Sequence, residues 1–170
     1  MQWYELLFSA ISLRSFSVLW FWIAFFAFWS LVTRRVMGVP FDLLLTARND
    51  ARAADDVMWL ARFDVRRRLA VPALHRVVIV GLAAFALSML LALALTGLEA
   101  AQALFLTAAP YALVEMLRLR LAHGLAERQP DAQTLVDALI WHRIAVQAIA
   151  AMSVFLTILW GAWRNLSLLM

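Results

Sequence analysis

Charge and apolarity alternate along this chain in long blocks. Residues 15–33, SFSVLWFWIAFFAFWSLVT, carry no charge and lie between Arg14 and the pair Arg34 and Arg35. A helix of that length covers roughly 28 Å, close to the thickness of a bilayer hydrocarbon core of about 30 Å. It predicts a first membrane span. Residues 77–98 are again uncharged and predict a second. Gly97 and Glu99 then mark a bend, and residues 100–117 predict a third span, antiparallel to the second and kinked at Pro110. Residues 144–163 predict a fourth, anchored at its far end by Trp160 and Trp163.

The blocks between the spans have their own periodicity. Gly38, Val39 and Pro40 break the first helix, and FDLLLTARNDARAADDVMWLARFDVRRRL then alternates leucines and aromatics with charge at helical spacing. Two surface helices are expected there, at about 41–53 and 55–70. Asp55 and Asp56 would start the second, Arg66, Arg67 and Arg68 would end it, and Met58, Trp59 and Phe63 would dip inward. Residues 118–143 form a second polar segment, with a turn at Gln129 and Pro130 and with Asp131 as the expected cap of an amphipathic run leading to the last span. Residues 1–13, with Trp3 and Tyr4 among leucines, suit an interfacial helix. Small residues recur every fourth position at Ala84, Ser88, Ala92 and Thr96, and again at Ser153, Thr157 and Gly161, where they permit a close helix neighbour. Glu115 falls just inside the third span, where Arg118, one turn on, is its expected partner.

Composition agrees with this pattern. Hydrophobic residues make up 65% of 170 residues, against 45 to 50% in soluble domains. The expected fold is a single all-α polytopic membrane domain of about four transmembrane helices plus amphipathic surface helices. The N-terminal stretch carries Glu5, no early positive charge and no A-x-A-like site, so the first span is expected to be retained. The blocks 34–76 and 118–143 hold nine and four of the fifteen arginines, whereas the other side has only Arg14 and Arg164. The positive-inside rule therefore puts both blocks in the cytoplasm of a bacterial inner membrane, with both termini periplasmic. The net charge of +4 is accounted for by topology and by anionic lipid headgroups, and no nucleic-acid partner is expected.

Candidate chemistry is sparse. There is no cysteine, which excludes thiolate metal sites, disulfides and cysteine-ligated clusters on this chain. No metalloprotease, nucleophile-elbow or phosphate-loop motif occurs. The aspartates Asp50, Asp55, Asp56 and Asp64 are read as balancing nearby arginines. His75, His123 and His142 share a depth at the cytoplasmic ends of three helices, which makes them the candidates for a haem or other cofactor, although no cofactor is expected. The first span carries eight aromatics within 16–29, spread around the helix. Trp20, Trp22, Phe25 and Trp29 are its candidate docking residues for a partner or lipid, together with Arg66, Arg67 and Arg68.

The opening WYELLFSAISLRSFSVLWFWIAFFAFWS, followed by the V-x-G-V-P-F-D pattern of Val36 to Asp42, resembles small alphaproteobacterial multi-pass membrane proteins often labelled "component of SufBCD complex". The resemblance covers about residues 3–45 and is general afterwards. It implies a bacterial inner-membrane location and contact with iron–sulfur assembly, and it carries over no catalytic residues. By elimination, the expected function is a non-catalytic accessory subunit packed against a larger respiratory or photosynthetic membrane complex. Two other classes stay open: a redox protein using the three histidines, and a small oligomeric channel or carrier.

Overall fold

The computed structural model describes residues 19–167. Helix α1 (Leu19–Arg34) leads into a two-stranded ladder, β1 (Arg35–Val36) and β2 (Val39–Pro40). Helices α2 (Phe41–Ala47), α3 (Ala51–Leu69), α4 (Ala73–Leu95), α5 (Glu99–Arg128) and α6 (Ala132–Ser167) follow. Among the described residues three helices are long and apolar enough to cross a membrane: Ala73–Leu95, Glu99–Arg128 and Ala132–Arg164. Helix α1 is also apolar but has 16 described residues, about 24 Å of rise. The interfacial helix expected at 1–13 and the start of the first span at 15–18 lie outside the described residues.

Helices α5 and α6 contain 30 and 36 residues, or about 45 and 54 Å, so both outrun a bilayer core. The polar segment 118–143 is therefore helical except at 129–131. Arg120, Glu127, Arg128, Asp131 and Asp137 are exposed and Arg118 and Arg143 half-buried, while Ala122, Leu135, Val136 and Leu139 keep a helical period and are buried. Gln129, with φ 41, ends α5 in the left-handed region. Asp131 then starts α6, accepting a hydrogen bond from the Thr134 hydroxyl.

The two long helices run antiparallel, and proline decides one contact between them. Pro110 has no N–H to donate to the carbonyl of Leu106 four residues earlier. The Ser153 hydroxyl of α6 donates to that carbonyl instead, at 3.1 Å. Ser153 and Thr157 are buried, at 1% and 0% exposure, so the small-residue seam of α6 faces α5. A freed carbonyl in this apolar setting needs such a donor.

Beyond the apolar zone the same two helices carry a second core. Met37, Val39, Leu44, Val57, Ala61 and Val65 pack there with Ala122, Leu135, Val136 and Leu139. The ladder turn has positive φ at both Met37 and Gly38, the conformation of a tight two-residue hairpin. The surface helices differ from expectation in their bounds. Asp50 caps α3 through its carboxylate, which accepts the Arg52 N–H at 2.9 Å, so residues 48–50 form the turn and Asp55 and Asp56 fall inside the helix. The buried face of α3 is Ala53, Ala54, Val57, Ala61 and Val65. Trp59 and Phe63 point away from the bundle and stack on each other at 6.0 Å, while Met58 packs partly buried against the core; the small residues let α3 lie closer to α5 and α6 than those rings allow.

Helix α4 packs mainly against α5 and buries none of its residues. Leu87, Leu90 and Ala94 are half-buried, whereas Ala84, Ser88, Ala92 and Thr96 are all exposed. The first small-residue stripe thus lies away from the contact with α5.

Two outcomes follow. Ser153→Ala should lower stability in detergent by about 1 kcal/mol, and the loss should vanish in the Pro110→Ala background, where residue 110 regains its N–H; thermal melts of the four-variant cycle check this. The Thr134 hydrogen bond holds the Asp131 carboxyl below its usual range, so its stabilising effect is present at neutral pH and is lost as pH falls below about 4. Asp131→Ala should therefore melt earlier than the unaltered chain at pH 7, and the gap should close in acid.

Candidate functional site

The densest polar arrangement lies where the two cores meet. Arg68, in the last turn of α3, donates through Nε to Asp64 Oδ2 at 2.7 Å, one helical turn back. Its Nη1 faces Glu115 Oε2 of α5 at 3.4 Å. Glu115 Oε1 accepts from Arg118 Nη1, which is the pairing expected from their spacing. Arg118 Nη2 donates to the Val32 carbonyl at 2.8 Å, in the last turn of α1, where carbonyls lack helical donors. One chain of charge therefore ties α1, α3 and α5 together.

These side chains are only 12 to 32% exposed. Desolvation works against the charge on Arg68, but Asp64 and Glu115 outweigh it and raise its pKa further. Partial burial makes the chain stronger than a surface pair, and the cost of desolvation keeps it from being a large net stabiliser. Nearby, the Phe28 ring meets Tyr111 edge-on at 5.3 Å. The Arg143 guanidinium sits over the Phe41 ring at 3.8 Å, fastening α2 to α6.

Next to the ion chain, α1, the hairpin and α3 enclose a cleft of about 520 Å³. Phe28, Leu31 and Val32 of α1 line it together with Gly38 of the hairpin, Asp64, Arg67 and Arg68 of α3, and Tyr111 and Arg118 of α5. Gly38 has φ +77, and a Cβ there would lie 3.5 Å from the Asp64 Cβ. Backbone strain, more than space, restricts that position to glycine.

The candidate residues read from the sequence are distributed unevenly. Phe25 and Trp29 are buried, at 3% and 4% exposure, against Val114, Val146 and Ala150, and so hold α1 to its own bundle. Trp22 is half-buried and Trp20 points outward. Arg68 belongs to the ion chain, Arg67 lines the cleft, and Arg66 lies on another face of α3. The histidines have separate environments. His75 is exposed on α4. His123 lies 3.3 Å from Arg76 Nη1 through Nε2 and 2.9 Å from the Leu119 carbonyl through Nδ1. His142 is buried, and its Nε2 has no hydrogen-bond partner. Among the described residues no three metal-ligating side chains gather.

The opposite end of the bundle is fastened by polar groups too. Gln102 donates to the Ala94 carbonyl at 3.0 Å and accepts from Trp160 Nε1 at 3.0 Å, joining α4, α5 and α6. Arg164 donates to the Gly97 carbonyl at 3.1 Å. Asp64 balances a nearby arginine as the sequence suggested, four residues from Arg68, whereas Gln102 and Tyr111 left no signal as structural partners.

Glu115→Gln should cost about 1–2 kcal/mol, between an exposed and a buried pair. Combining it with Arg118→Gln should cost less than the sum of the two single changes, as read by thermal melts in detergent. No protein family matches the chain, and none of the curated proteins or solved structures is similar to it.

Proposed function

We propose that the protein is a non-catalytic accessory subunit of a larger bacterial inner-membrane complex, and that α4 is its docking helix. The observation that carries this reading is the outward stripe of Ala84, Ser88, Ala92 and Thr96 on a helix with no buried residue. Lipid tails are as apolar as leucine, so helices in a bilayer associate where small residues let backbones approach. A helix meeting acyl chains alone has no use for such a stripe. Helix α1 joins as a fourth span, with Trp20, Ile23 and Phe26 on its exposed face, and the arginine-rich segments lie in the cytoplasm with both termini outside. A respiratory or photosynthetic assembly, or a membrane partner of iron–sulfur assembly as the N-terminal resemblance implies, fits this role.

Mild detergent extraction followed by mass spectrometry should recover the chain in a larger complex. Ser88→Leu with Ala92→Leu should release it while leaving its melting temperature within a few degrees. Recovery as a free monomer, or a complex indifferent to both changes, defeats the reading. Since the chain has no cysteine, single cysteines test its threading. Asp56→Cys should label only after permeabilisation, and Leu98→Cys in intact spheroplasts.

A further inference from the structure

We infer that the cleft between α1, the hairpin and α3 holds the phosphate of one anionic phospholipid, with the acyl chains lying along α1. The lining of the cleft combines apolar and charged side chains. Phe28, Leu31 and Val32 belong to the last turns of an apolar helix, and Leu31 is 69% exposed. Three guanidiniums, those of Arg67, Arg68 and Arg118, line the same cleft with the Asp64 carboxylate. Arg68 and Arg118 are engaged by Asp64 and Glu115, so three positive charges face two negative ones. Arg67 makes no ion pair among the described residues and is exposed at the mouth of the cleft.

Depth and shape favour a lipid over a free anion. The cleft opens where α1 ends and the arginines begin, the level at which headgroup phosphates lie. A soluble phosphate needs only the cationic side chains, whereas apolar ones in the same lining suit a ligand that is anionic at one end and hydrocarbon at the other. The volume of about 520 Å³ is within the range of about 300–1,000 Å³ that small-molecule sites occupy. Arg68 and Arg118 are already fixed by their carboxylates, so they present donors to a phosphate with little further ordering, and Arg67 supplies the uncompensated charge.

This inference rests on the membrane placement proposed above and not on a partner complex. A chain that fails to co-purify with other proteins still retains the lipid. The full chain in neutral detergent is titrated with phosphatidylglycerol, with phosphatidylcholine, and separately with inorganic phosphate as a competitor, and bound lipid is counted by native mass spectrometry. One phosphatidylglycerol should be retained in preference to phosphatidylcholine. Arg67→Gln should bind it about fivefold more weakly, while Arg66→Gln, on a different face of the same helix, stays within twofold. Equal retention of the two lipids overturns the inference. So does an equal loss in both arginine variants, which signals diffuse attraction, or complete displacement by millimolar inorganic phosphate, which signals a soluble-anion site.

Discussion

Two antiparallel helices longer than a bilayer is thick set the terms for this molecule. Because α5 and α6 outrun a hydrocarbon core, one pair of rods builds two cores of different chemistry. In the apolar half, α6 meets α1 through Phe25, Trp29, Val146 and Ala150. In the projecting half, the same rods meet α2, α3 and the hairpin through Leu44, Val57, Val136 and Leu139. A connector of three residues, 129–131, joins them, so neither half shifts without the other.

The polar interactions are concentrated where that arrangement is most exposed to failure. Pro110 leaves a carbonyl without its helical donor and Ser153 supplies one from the neighbouring helix. At one end of the apolar zone Glu115 lies between Arg68 and Arg118; at the other, Gln102 bridges Ala94 and Trp160. Each joins different helices, and each satisfies groups that are costly to leave unpaired away from water. These contacts fix the register of helices whose apolar surfaces alone would slide.

What is left over after that fastening bears on function. Helix α4 is held by its face against α5 and by Gln102, and none of its residues is buried. The arginine cleft has two guanidiniums already ordered and a third uncommitted. Both features carry the proposals made above, one for a partner helix and one for an anionic lipid.

The block pattern of charge was enough by itself to determine an all-α chain with long apolar helices, the break at Gly38 to Pro40, the turn at Gly97 and the pairing of Glu115 with Arg118. Those depend on local propensity, on hydropathy summed over many residues and on spacings within one helix. Tertiary structure decided which face of each helix is inside. On α3, close packing against α5 and α6 buries Ala61 and leaves Trp59 and Phe63 outside the bundle. Two small-residue stripes of similar appearance separate the same way: the one on α6 is consumed by α5 and the one on α4 is left outward. Within 118–143 the turn at Gln129 and Pro130 and the amphipathic run after Asp131 were legible, whereas the continuation of α5 to Arg128 was not, because its charges mask a face that packs against α3. Partners distant in sequence, such as Gln102 with Trp160 or Arg118 with Val32, leave no periodic trace, since only the crossing of helices brings them together.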